Sequence, residues 1–118
     1  AAAPAAVGPY SQGVEASGAT LYVSGQLPID PASGTMPDTV EQQTEQALRN
    51  VEAILSEAGY SLSDVVKSVV LLADMNDFAA MNVVYARFYA KDMPARVCYE
   101  VGRLPMGARV EIETIAVK

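Results

Sequence analysis

The 118-residue sequence contains no histidine, and that absence removes a large share of ordinary enzyme chemistry. Ser-His-Asp triads, Cys-His nucleophile pairs and histidine-liganded metal sites all need an imidazole. Cysteine is almost as scarce. Cys98 stands alone, so the chain has no internal disulfide and no multi-cysteine zinc site. One cysteine fits a reducing compartment, which sets the expectation of a cytoplasmic protein. Basic side chains are few, 8 Lys+Arg against 14 Asp+Glu, giving a net charge of −6. A nucleic-acid partner is disfavoured, because neutralising phosphates takes a basic footprint. No apolar run approaches the roughly 18–20 residues that span a bilayer, so no membrane partner is expected. Gly-x-Gly-x-x-Gly and P-loop motifs are also missing, and neither a metal nor a cofactor is expected. Nothing at Ala1-Ala2-Ala3-Pro4 reads as a retained signal peptide, and a targeting segment already removed would leave no trace.

What is present reads as one globular domain over residues 1–118, with 51% hydrophobic and 19% charged residues. Residues 1–9 are Ala/Pro-rich and extended. A short strand at Gln12–Ala16 is expected to pair, through a turn at Ser17-Gly18, with a strand over 19–24 in which Leu21 and Val23 alternate with Thr20, Tyr22 and Ser24. Pro28, Pro31, Gly34 and Pro37 mark a loop. Thr39, with Gln42 three residues on, caps a helix whose apolar face runs Val40, Thr44, Ala47, Leu48, Val51, Ile54, Leu55 and Ala58, and Gly59 stops it. Val65–Leu72 is a central strand, apolar on both faces apart from Lys67 and Ser68. A second helix opens at Asn76 or Asp77, its apolar face running Phe78, Met81, Tyr85, Phe88 and Tyr89, and it ends before Pro94. Strands over roughly 96–101 and 109–117 follow, joined by a loop holding Pro105 and Gly107.

The expected fold is therefore α+β, in the order β-β-α-β-α-β-β, with two helices on one face of a mixed sheet. Two helices cover only one side, yet the last strand is apolar on both. The uncovered face predicts self-association.

With imidazole, metal and cofactor removed, chemistry falls to Arg, Glu, Asp, Tyr, Ser, Asn and one Cys. Arg96, at a strand start after Pro94-Ala95, is either a fork for a substrate carboxylate or an ion-pair partner of Glu100 or Glu111. Glu111, in a largely apolar strand, is either a general acid/base or part of a solvated rim beside Glu113. Cys98 has nothing to activate it and reads as an inert thiol. Asn82 lies on the apolar face of the second helix and must find hydrogen-bond partners there. Lys67 reads as a side chain reaching solvent at a strand rim.

Five segments in order, GPYSQG (8–13), VSGQLPIDPASG (23–34), NDFAAMNVVY (76–85), PARVCYEVGRLP (94–105) and VEIETIAV (110–117), resemble the signature of the reactive-intermediate deaminases, the RidA/YjgF group. The resemblance spans nearly the whole chain. It implies a chorismate-mutase-like fold assembled as a homotrimer, with a central sheet barrel, outer helices and clefts between subunits. It also implies hydrolysis of carboxylate-bearing enamines or imines, such as 2-aminoacrylate, to 2-keto acids and ammonia without a cofactor. By the same resemblance Arg96 grips the substrate carboxylate, Glu111 positions water, and Tyr10 closes the cleft. Ser24 and Gly25 line it, Asn82 stands near it, and Cys98 contacts ligand through its backbone. The chain departs from the pattern between Tyr85 and Pro94, where it is a few residues shorter and carries Met93 in place of a frequent aromatic. That loop helps shape the cleft in relatives, so the resemblance leaves substrate size and preference open. Two other readings belong to the same group of proteins, a non-catalytic small-molecule binder or regulator and an endoribonuclease or translation inhibitor. The acidic balance weighs against the second.

Overall fold

The computed structural model describes residues 2–118, so Ala1, the first residue of the expected extended arm, lies outside the described residues. Four strands and two helices follow one another as β1 (Thr20–Gln26), α1 (Val40–Glu57), β2 (Val65–Leu72), α2 (Phe78–Phe88), β3 (Ala95–Glu100) and β4 (Val110–Val117). The strands form one sheet in the order β1-β4-β2-β3. β4 is antiparallel to both β1 and β2, whereas β3 runs parallel to β2. That parallel pair requires a crossover, and α2 supplies it. The architecture is α+β with a mixed sheet.

Local chemistry explains the elements. Thr39 Oγ1 accepts from the Gln42 backbone N–H at 3.1 Å, satisfying one of the free donors of the first turn of α1. The helix ends ahead of Gly59, whose φ of 83° a side chain resists. Asp74 caps a short 3-10 turn over Met75–Asp77 that leads into α2, so the helix begins slightly later than its spacing predicts. On one face of the sheet Val23, Val70, Leu72, Val110, Ile112 and Ala116 pack against Leu48, Val51 and Leu55 of α1 and Met81 and Tyr85 of α2. Ile54 and Ala58 fall outside this core and are exposed, which narrows the apolar stripe expected for α1. Gln43 is buried instead. Its amide donates to the Pro37 carbonyl and accepts from the Arg109 N–H, tying the loop before α1 to the entry of β4.

The other face of the sheet carries no helix. It presents Tyr22, 75% exposed, and Tyr99, 47% exposed, with Leu71, Glu111, Ile115 and Val117 half-buried between strands. An apolar sheet face of this kind is the feature that predicted self-association.

The expected strand at Gln12–Ala16 is not formed, and the observed order is β-α-β-α-β-β. Ser11 donates its N–H to the Pro94 carbonyl at 3.1 Å and bridges Ala95, docking the N-terminal segment on the β3 edge. Ala19 exchanges hydrogen bonds with Lys118 at the far end of β4, beside β1. The residues between must cross from one edge of the sheet to the other, three strand spacings or roughly 14 Å. A tight hairpin with β1 is incompatible with that path, and residues 12–16 are exposed.

Candidate active site

Arg96 and Cys98 alternate with Val97 and Tyr99 along β3, so Arg96 points to the helix-covered side while Val97 and Tyr99 point to the open side. There α2 meets the guanidinium with residues spaced four and three apart. Asn82 Oδ1 accepts from Arg96 Nη1 at 2.7 Å. The ring centroids of Tyr85 and Phe78 lie 4.9 and 5.7 Å from Arg96 Cζ. The Tyr10 ring approaches from the N-terminal segment at 5.4 Å, and its hydroxyl accepts from the Val7 N–H at 3.2 Å. Ser11 holds this segment in place through Pro94 and through a side-chain hydrogen bond to the Met93 carbonyl. Gly8 comes so close that a Cβ there would sit 3.0 Å from Arg96 Nη2. Three aromatic faces and an amide thus surround one guanidinium.

Neither ion-pair partner weighed for Arg96 reaches it. Glu100 Oε1 accepts from the Met75 N–H at 2.9 Å, and Glu111 lies on the opposite face of the sheet. Among the described residues Arg96 forms no salt bridge. Its charge is balanced by ring faces and an amide oxygen, an arrangement that leaves a guanidinium able to receive an external anion.

The core side of Arg96 is buried. Tyr85 is fully buried, and burial pushes its phenol up to about 12, with the Ser68 hydroxyl and the Arg96 charge pulling more weakly the other way. Ser68 and Thr114 sit level with Arg96 across β2 and β4. Among the described residues the buried hydroxyls of Ser68, Tyr85 and Thr114 have no partner in good hydrogen-bond geometry. Burial likewise pushes the Cys98 thiol up, opposed by Arg96, so it is a poor nucleophile near neutrality.

Glu111 belongs to a different corner. It stands level with Leu71 of β2 and, through Leu71, with Tyr99 of β3, all on the open face. The β1 bulge at Ser24-Gly25 approaches it closely enough that a Cβ at Gly25 would overlap the Glu111 carboxylate. A side chain at Gly25 would push the Glu111 carboxylate from its place. Ser24 is exposed beside it. Of the residues singled out in the sequence, Tyr10, Asn82, Arg96 and Cys98 therefore gather at the β3 edge. Ser24, Gly25 and Glu111 gather on the opposite face, and one protomer does not bring the two groups together. Lys67 is half-buried on the open side and belongs to neither.

Sequence reasoning assigned Phe78 and Tyr85 to the core and left Gly8 without a role, yet all three touch or approach Arg96. The signal was the spacing of Phe78, Asn82 and Tyr85 along one helical stripe, where a polar residue between two aromatics marks a buried polar neighbour.

The Endoribonuclease L-PSP family model matches residues 1–118. A RutC family protein of Pyrococcus horikoshii is 52% identical over 98% of this chain and 92% of its own length. The 2-iminobutanoate/2-iminopropanoate deaminase of Capra hircus is 53% identical over 100% of this chain and 86% of its own. Among solved structures, the YjgF gene product of E. coli superposes with a TM-score of 0.82 at 44% identity, covering 98% of this chain and 93% of that one. With a match along its whole length and half of its residues shared with such relatives, the chain belongs to the RidA/YjgF, or Endoribonuclease L-PSP, family.

Proposed function

We propose that this protein hydrolyses carboxylate-bearing enamines and imines, of the 2-iminobutanoate and 2-iminopropanoate type, to 2-keto acids and ammonia. The observation that carries the reading is Arg96. It is a guanidinium on the edge of a sheet, anchored through one nitrogen by Asn82 and free of any carboxylate partner among the described residues. Its remaining donors suit a substrate carboxylate held as a bidentate pair. The names of the 2-iminobutanoate/2-iminopropanoate deaminases that the chain resembles point to the same substrate class.

The chemistry asks little of the protein. A protonated imine carbon is already electrophilic. Water adds to it, a carbinolamine forms, and its collapse expels ammonia and leaves the keto acid. Clamping the carboxylate and directing the water supply most of what is needed, by orientation rather than by a nucleophile. Glu111 is the group assigned to the water, as the carboxylate beside the Ser24-Gly25 turn. Its place on the open face supports a cleft shared between copies, with Arg96, Tyr10 and Asn82 from one protomer and Glu111, Ser24 and Gly25 from its neighbour. The backbone at Cys98 lies along the same edge strand as Arg96. The apolar open face supports a closed homo-oligomer, and the family resemblance favours a trimer. RNA as substrate is disfavoured by the net charge of −6.

The test couples the purified protein to a pyridoxal-phosphate dehydratase or an amino-acid oxidase and follows decay of the imine. Wild type is expected to accelerate it, and Arg96→Ala to lose at least about 100-fold in kcat/KM, the loss of two charge-assisted hydrogen bonds. No acceleration by folded wild type overturns the deaminase reading. Acceleration that survives in Arg96→Ala overturns the clamp.

A further inference from the structure

We infer that Tyr85 is the positioning residue for Arg96, its ring setting from inside the core the plane in which the guanidinium meets a carboxylate. The inference deepens the clamp just described and rests on it for the ligand, though not for the geometry.

An arginine reaches its ligand along a flexible stem, and a bidentate pair forms only when the planes of fork and carboxylate coincide. Two constraints, one on a face and one on an edge, define such a plane. The edge constraint is the 2.7 Å hydrogen bond from Nη1 to Asn82 Oδ1. The face constraint has three candidates, and they are not equivalent. Tyr10 belongs to the N-terminal segment and is half-buried, and Phe78 is half-buried and the most distant ring. Tyr85 is the nearest, at 4.9 Å, and it is 0% exposed. Its ring lies in the packed core, with Tyr89 at 4.8 Å between centroids. A ring packed this way cannot move with the ligand.

The sheet makes room for it. Ser68, the register partner of Arg96 on β2, turns its small side chain to the same face and is fully buried. A bulkier residue there would compete with the ring for the space beside the guanidinium. Asn82 and Tyr85 are three residues apart on α2, so one rigid helix supplies both edge and face. Orienting the fork before ligand arrives removes an ordering cost from binding.

The test uses the guanidinium N–H signals of Arg96 in ¹⁵N–¹H spectra, assigned by their loss in Arg96→Lys. In wild type the Arg96 Hε signal is expected upfield of those of the other arginines, displaced by the ring current. Tyr85→Phe keeps the ring and should keep the displacement, with KM for the imine within about twofold of wild type. Tyr85→Leu keeps apolar bulk without the face, so the signal should move towards the other arginines. KM should then rise about tenfold while kcat stays within about threefold. A folded Tyr85→Leu protein with an unmoved Arg96 signal and unchanged KM overturns the proposal. Should that variant fail to fold, an undisplaced Arg96 signal in wild type overturns it equally. Absence of imine turnover by wild type refutes the deaminase reading alone, because the spectra still decide the position of Arg96.

Discussion

Arg96 and Glu111 stand two strands apart in one sheet, and they are held in opposite ways. The arginine is held by its own protomer, with the Tyr85 and Tyr10 rings beside it and Asn82 bonded to its edge. The carboxylate sits half-buried on the open face with a glycine notch against it, and among the described residues no side-chain hydrogen bond or ion pair fixes it. The cluster around Arg96 is built within a single chain; Glu111 and its glycine neighbour lie on an uncovered surface. In the proposed reaction the carboxylate clamp is organised within one chain, whereas the water-directing role proposed for Glu111 depends on what packs against the sheet.

The sharpest way to break this contrast is to damage the halves separately and then mix them. Glu111→Gln is expected to lower kcat about 100-fold with little change in KM, the usual size of a lost acid/base. Mixed with Arg96→Ala after unfolding and reassembly, it should recover about a quarter of the wild-type activity. That fraction is the chance in a random closed trimer that a cleft draws its intact arginine and intact glutamate from different variants. A mixture that stays inactive would place both groups of each site in the same chain and dissolve the comparison. A smaller effect is expected from Gly25→Ala, whose added Cβ displaces the Glu111 carboxylate. A fall in kcat of about tenfold should appear with unchanged affinity for a 2-keto acid, measured by calorimetry. A weakened affinity instead would show that the notch serves the anion.

The smallest effect tests how dry the arginine half is. The Tyr85 phenol, pushed up to about 12 by burial, stays protonated in the fold where an unfolded chain ionises near 10. Its contribution to stability is therefore complete below pH 10 and is lost as pH rises from there towards 12. At pH 11 the loss is about 1.4 kcal/mol. Tyr89 is pushed up by burial as well, so Tyr85→Phe should remove only part of the alkaline destabilisation seen in urea melts at pH 9 and pH 11. Identical pH dependence in variant and wild type would mean that water reaches the ring.

Much of this was legible in the residues, because local chemistry decides it. The Thr39 cap, the Gly59 stop and the span of β2 follow from patterns a few residues long. The grouping of Tyr10 and Asn82 with Arg96 came from motif resemblance, and in the fold both lie against its guanidinium. What was not legible depends on strand order. Alternation tells that Arg96 and Cys98 share a face, but not that this face is opposite to that of Glu111. The absent strand at 12–16 has the same origin. Its residues suit a hairpin, and only the docking of Ser11 on the far edge denies them one. Tyr85 was hidden for another reason. A residue that packs the core and orients an arginine looks, in sequence, like one that only packs the core.

The position of β4 has a consequence for how the chain is made. It is last in sequence yet lies inside the sheet, between β1 and β2. Until it emerges from the ribosome, β1 has no strand to pair with and β2 has only β3. A nascent or C-terminally truncated chain thus exposes two unsatisfied strand edges flanking a gap, a template for pairing with other chains. The pairing that closes the gap joins Thr20 to Val117, residues far apart in sequence, which is a slow contact to find. The strand that carries Glu111 is therefore also the one whose arrival ends the molecule's exposure to aggregation.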